Sequence, residues 1–398
     1  MGEAPPNPYR PGNGLEPPYL AGRQVELKAM NGVLSELGRF PRNVALYGLR
    51  GVGKTCLLRE YRLMALERGH IVIRREFNQR VQDETSFAVV FLSDLQDAVE
   101  ELSAIEAAKG KLARLLTAAR DSVGSLRLKY QELEFSLEAG QRGGRGGILE
   151  DDFRKALARL GEAASERDTG VVVLYDEFQE LQDTKTQNQL PLGALISALS
   201  SVQQDGLPIT LVACGLPPLI ENLADAQSYT ERMFEGQQIG ALVAPENRRA
   251  LVAPLRGTGY EYADRVVEEV LESTGGYPYF IQHYGRELWD AAAGPRIDLD
   301  VYRSSEDQIR AKLDSYFFRA RYMRATPAEK EVLARLAEFG ESAQIQDLPE
   351  AGGRSYASVQ MVIRGLVNKG LVYRPTRGEV AFSAPLFGDY IRRKAGEL

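Results

Sequence analysis

Apolar residues along this chain follow two different periods. Val44–Tyr47, Ile71–Ile73, Val171–Tyr175 and Ile209–Cys214 are short, almost unbroken apolar runs, the pattern of strands buried on both faces. Between them, apolar positions recur every three or four residues. Val25, Met30, Val33 and Leu34 predict a helix ending near Gly38. Leu92, Leu95, Val99 and Leu102, then Leu112, Leu115, Leu116 and Val123, predict a helix pair broken near Gly110. Further helices are expected from Leu149 to about Ala164 and around Leu192–Val202. Strand, helix and strand alternate, so the expected class is α/β with a parallel sheet.

Other stretches read differently. Leu126, Leu128 and Tyr130, then Leu133, Phe135 and Leu137, are spaced two apart and predict a short β insertion. Residues 139–147 are mostly Gly, with Arg142 and Arg145, and read as a flexible tether. From Pro245 the pattern is helical, over 245–255 and 263–271 and in a helix opening at Gly276-Tyr277-Pro278. The chain closes with a capped helix from Thr326-Pro327, a short helix around Ile345–Leu348 and a third over 354–370. That third helix is expected to turn Ala357, Met361, Ile363 and Leu366 inward. A hairpin over 371–382 follows.

At 398 residues there is room for two or three domains. No apolar run approaches the ~18 residues that would cross a bilayer, and the Pro-rich start has no signal-peptide core. Two cysteines, Cys56 and Cys214, and two histidines, His70 and His283, are too few for a Cys/His metal site and fit a reducing, cytoplasmic setting. A net charge of −6 argues against a surface that coats a polyanion. Locally the balance reverses: residues 321–398 hold 12 Lys/Arg against 9 Asp/Glu.

The chemistry starts where the first apolar run breaks. Gly48, Gly51, Gly53, Lys54 and Thr55 fit GxxxxGK(S/T) between a strand and a helix. Glycine permits a backbone whose amides, through Val52 to Cys56, turn inward around phosphate oxygens. Lys54 would reach the β- and γ-phosphates and Thr55 would ligate Mg2+, with the helix dipole behind them. Asp176 and Glu177 end the Val171 strand, the edge at which open α/β sheets bind ligands. Asp176 suits Mg2+, held through water; Glu177 suits polarising the attacking water. Arg23, in Gly22-Arg23 ahead of the first strand, is expected to touch the base or phosphates. Arg232 is a candidate for reaching a γ-phosphate, in cis or from a neighbour. With Arg364, Lys369, Arg374 and Arg377, the third helix and hairpin over 354–377 suit double-stranded DNA.

Together these residues resemble the STAND and origin-initiator (ORC-like) branch of the AAA+ P-loop ATPases. Leu20–Glu26 matches its hhGRExE motif except that Gln24 replaces the first Glu. Residues 48–55 match Walker A and Val171–Glu177 match Walker B. Ser228–Phe234 looks like the arginine-finger box, and Gly276-Tyr277-Pro278 matches the lid motif that brings Pro278 to the nucleotide. The resemblance implies ATP with Mg2+, a P-loop sheet with a helical insertion, a helical lid and a winged helix. It divides the chain into an arm (1–18), an ATPase core (19–240, insertion 84–168), a lid (241–320) and a winged helix-turn-helix (321–398). The activity implied is an ATP-dependent switch acting on DNA; the alternative is a signalling or defence switch answering a protein partner. A nucleotide-dependent homo-oligomer is a further implication. One position departs from the branch: after the 209–213 strand, Cys214-Gly215 stands where a polar residue is usual.

Overall fold

The computed structural model describes residues 5–12, 14–78, 81, 83–104, 111–138, 149–187, 189–349 and 355–396. The tether with Arg142 and Arg145, the break near Gly110, and Arg354 lie outside the described residues. Two compact units form: Gln24–Tyr47 with Leu57–Gln238, and Met1–Arg23 with Gly48–Cys56 and Ile239–Leu398.

The first unit runs α1 (Gln24–Glu36), β1 (Asn43–Gly48), α2 (Lys54–Glu67), β2 (Ile71–Glu76), α3 (Glu84–Ala104), α4 (Lys111–Glu138), α5 (Leu149–Glu166), β3 (Val171–Asp176), α6 (Pro191–Gln204), β4 (Ile209–Gly215), α7 (Pro218–Ala226), α8 (Thr230–Met233) and β5 (Phe234–Ile239). The outermost residues of β1, α2 and β5 extend into the second unit. The sheet order is β2-β3-β4-β1-β5. Val44 pairs with Val212, Val212 with Leu174, and Ile71 with Val171, all in parallel. Strands β1, β3 and β4 therefore end at one edge. Every residue of β3 and β4 is buried, as continuous apolar runs require.

Helices α3, α4 and α5 pack over β2 and β3. Buried Asp94 on α3 accepts from Arg75 Nε at 2.8 and 2.9 Å and from the Tyr175 hydroxyl at 2.9 Å, bolting the helix to two strands. Burial raises the Asp94 pKa, and Arg75 opposes that rise. The β insertion expected over 126–137 is absent, because α4 runs unbroken from Lys111 to Glu138. Leu116, Ala119, Val123 and Tyr130 are buried, and Leu126 and Leu133 pack on the same cluster. That 3-4-3-4-3 stripe is helical; the two-residue spacing was a local coincidence inside it, and Leu128 faces solvent. The Tyr130 hydroxyl donates to Asp152 Oδ2 at 2.9 Å, fixing α4 to α5.

The second unit holds the amino-terminal arm, residues 48–56, α9 (Glu246–Val252), β6 (Glu261–Tyr262), α10 (Asp264–Thr274), α11 (Pro278–Ala291), β7 (Arg296–Ile297), α12 (Leu299–Leu313), α13 (Arg319–Tyr322), α14 (Pro327–Phe339), β8 (Ser342–Gln344), α15 (Tyr356–Asn368), β9 (Val372–Tyr373), β10 (Glu379–Phe382) and α16 (Phe387–Gly396). One aromatic chain, Phe280–Phe317–Phe318–Phe387, runs through it with ring centroids 5.0–5.8 Å apart. The arm is not loose. Tyr9 is buried, lies against Gly285 of α11, and donates its hydroxyl to Leu251 O at 2.5 Å.

At the carboxy-terminal end, β8, β10 and β9 form an antiparallel sheet in the order β8-β10-β9. Helix α14 opens on a capping box between Thr326 and Glu329. The helix expected around Ile345–Leu348 is a single 3-10 turn, Ile345–Asp347. Helix α15 buries Val359, Ile363 and Leu366, whereas Ala357 and Met361, expected inside, lie exposed. The stripe at i, i+4 and i+7 sets the inward face, and Met361 falls opposite it.

The His70 ring gives a pH test. Gly170 N–H donates to His70 Nδ1 at 3.1 Å, so that nitrogen must be unprotonated, and burial lowers the pKa from 6.5. With the folded pKa depressed, the unfolded chain binds the proton more readily, and stability is lost as pH falls below 6.5. Denaturant titrations at pH 7.5 and 5.5 should show wild type losing about 1 kcal/mol more than His70→Gln across that interval.

Candidate functional site

A loop whose amides converge on a ligand must find donors for its carbonyls, which point the other way. In residues 48–55 this requirement is met at Gly48, Leu49, Gly51 and Val52. Lys54, itself buried, donates from Nζ to Gly48 O at 2.9 Å and Leu49 O at 3.0 Å. Tyr279 N–H, one residue after Pro278 at the start of α11, donates to Gly51 O at 3.2 Å. Arg23 donates from Nη2 to Val52 O at 3.0 Å and to Gly240 O at 2.7 Å.

Glycine is required at several of these positions. Gly51 and Gly53 have φ of 84° and 93°, in the left-handed region. A Cβ at Gly48 would overlap Ile239 O. Thr55 and Cys56 begin α2, so their amides lie in its first turn, where no intrahelical acceptor exists. Cys56 Sγ donates to Leu15 O of the arm at 3.2 Å. The sequence places Arg23 at the base or phosphates; its guanidinium reaches the loop from the carbonyl side.

In the sheet unit, Asp176 ends β3 and is buried, with Oδ1 accepting from Glu177 N–H at 2.9 Å. Glu177 adopts φ 52° and ψ 32°, a left-handed conformation costly for a non-glycine residue. Its Oε2 accepts from Gln179 Nε2 at 2.7 Å, and Gln179 Oε1 in turn accepts from Leu216 N–H at 2.9 Å. Sequence reading overlooked Gln179. Nothing in its local pattern marks it, because its partners lie at the end of another strand.

Arg232 is exposed on α8, beside the amino-terminal end of β1, where Asn43 Nδ2 donates to Met233 O at 3.3 Å. Asp176 lies at the opposite edge of the sheet, roughly 15 Å away for five residues of strand at about 3.3 Å each. Within its own chain, Arg232 is out of reach of the Asp176 edge.

Oxygen donors such as the Thr55 hydroxyl and the Asp176 carboxylate suit Mg2+, which takes one or two protein ligands and completes its shell with phosphates and water. Among the described residues no cluster of three or more His, Cys, Asp or Glu side chains could hold a metal by itself. No helix among them is long and apolar enough to cross a membrane.

Residues 19–212 match the AAA ATPase domain family. They form an AAA+ P-loop ATPase domain. Residues 315–391 match a domain of unknown function (DUF8462). No curated protein matches the sequence. Among solved structures, this chain is similar to the ORC2 protein of Aeropyrum pernix in ADPNP and ADP complexes. Identity is 16%, coverage is 97% of this chain and 98% of that one, and the TM-score is 0.51. The ORC1 protein of the same organism, in complex with DNA, gives 17% identity, 96% and 95% coverage and a TM-score of 0.44. DnaA of Aquifex aeolicus with AMPPCP gives 13%, 88% and 90%, and 0.42. At 16% identity the likeness to ORC2 is one of fold.

Arg23→Ala leaves the Val52 and Gly240 carbonyls without this donor. Thermal unfolding should report a loss of about 1–3 kcal/mol, and ATP affinity measured by calorimetry should fall although no phosphate contact is removed.

Proposed function

We propose that the AAA+ ATPase binds ATP with Mg2+ at residues 48–56 and uses it to switch the action of its carboxy-terminal domain on double-stranded DNA. The observation that carries the nucleotide half is the set of donors on the Gly48, Leu49, Gly51 and Val52 carbonyls, which leaves the amides of Val52 to Cys56 for an anion. In this reading Lys54 contacts the β- and γ-phosphates, Thr55 and Asp176 hold the metal, and Pro278 borders the base. The metal supplies charge neutralisation on the phosphates. Glu177 orients and polarises the attacking water, a positioning role that dominates phosphoryl transfer. Arg23 is the residue that sets the loop. Arg232 acts on a neighbouring copy's nucleotide, which makes a nucleotide-dependent homo-oligomer part of the proposal. Likeness to ORC2 supports adenine, since that protein was solved with ADPNP and ADP. A cytoplasmic setting follows for such an activity.

The DNA half rests on the helix–strand–helix–hairpin order of 327–382, a winged-helix reading. Ser355, Tyr356 and Arg364 on α15 and Arg377 on the hairpin are exposed. Arg374 Nη2 donates to Gln360 Oε1 at 3.0 Å, tying hairpin to helix. One observation favours a protein partner instead: Met361, on the outward face of α15, is 70% exposed.

Two measurements test the proposal. Lys54→Ala should abolish ATP binding, and Glu177→Gln should bind ATP but turn it over at least 100-fold more slowly. Turnover equal to wild type in Glu177→Gln would sink the water-polarising role. Duplex DNA affinity should fall steeply between 50 and 200 mM salt, and Arg364→Glu with Arg377→Glu should remove it. Salt-independent or absent DNA binding, with both variants like wild type, leaves the protein-partner reading.

A further inference from the structure

Strand β4 ends in Cys214-Gly215, with no polar side chain to offer there. The space beside Gly215 is nonetheless filled with polar atoms. A Cβ at Gly215 would overlap Gln179 Oε1, so the glycine admits the Gln179 amide to the end of β4. Gln179 is 5% exposed. Its carboxamide is fully oriented: Oε1 accepts from Leu216 N–H at 2.9 Å, which leaves Nε2 to donate, and Nε2 lies 2.7 Å from Glu177 Oε2. The backbone is pinned as well, since Gln179 O accepts from Asn222 Nδ2 of α7 at 3.0 Å. A residue two positions from Glu177 is thereby fastened to a second strand and a helix, and it holds a carboxylate whose backbone is left-handed.

We infer that Gln179 is the positioning residue that aims Glu177, delivering from the turn after β3 the polar group that β4 lacks. The inference rests on the reading of Glu177 as the group that polarises water. Gln179 touches no reacting atom; it acts through Glu177. A donated N–H fixes the direction of the other oxygen. Gly215 and Gln179 are then one device, and a side chain at Gly215 would exclude the Gln179 amide.

The test uses the full chain and steady-state ATP hydrolysis at pH 7. Gln179→Glu keeps an acceptor for Leu216 N–H and the same shape, and replaces the donor facing Glu177 by a second carboxylate. Like charges in contact repel, so the Glu177 carboxylate is turned away from its line. At pH 7 kcat should fall about tenfold while KM for ATP stays within about twofold, because no substrate contact is lost. Gln179→Ala should lower kcat with the same unchanged KM, and circular dichroism confirms that each variant is folded. Wild-type kcat in both Gln179→Glu and Gln179→Ala overturns the inference. Glu177→Gln is run in parallel. If it alone loses turnover, the positioning role fails and the role of Glu177 stands. If it retains turnover, that role falls and the inference with it.

Discussion

The carbonyls of the phosphate loop set the terms for the rest of the structure. A short segment can present consecutive amides to one point only if its carbonyls are satisfied on the far side, and each unmet one costs about 1–3 kcal/mol when buried. Here the donors come from three different places in the sequence, Arg23 ahead of α1, Lys54 within the loop and Tyr279 on α11, while the loop's own Arg50 N–H donates to Ser383 O at 3.3 Å. Amino-terminal, loop and carboxy-terminal segments must all fold for nine residues to hold their shape. That explains why 48–56 cluster with the arm and with 239–398 although they are flanked in sequence by sheet residues.

The sheet obeys a complementary constraint. Parallel registers joining β1, β4 and β3 send the three strands to a common edge. Asp176 and Glu177 therefore leave β3 at the edge where β1 also finishes. Buried apolar runs provide the rigidity, and the Asp94 bridge to Arg75 and Tyr175 holds the helical layer against them. A left-handed Glu177 is tolerable only on such a frame, because its conformational cost must be met by the surrounding contacts.

Much of this was legible from residue order. Val171–Tyr175 and Ile209–Cys214 are buried on both faces, and a run of that kind has few alternatives. The glycine spacing before Lys54 marked the loop because positive φ at Gly51 and Gly53 leaves little choice of residue. What escaped depended on partners distant in sequence. A two-residue spacing at 126–130 looked like a strand because a helical stripe also passes through such positions, and only the longer run from Leu116 to Leu133 separates them. Met361 was placed inside on hydrophobicity alone, whereas the inward face of α15 is set by Val359, Ile363 and Leu366. Gln179 was silent for the same reason: its meaning lies in Gly215, across the sheet.

Tyr9 has a practical consequence. Its ring fills the space over Gly285, where a Cβ would collide with it, and Asn7 Nδ2 holds Arg286 O at 3.0 Å beside it. Anyone trimming the proline-bearing leader as dispensable would strip a plug from α11, the helix whose first turn carries the Tyr279 amide. Shortened versions starting after residue 14 should be treated as core mutants, and their enzymology read accordingly.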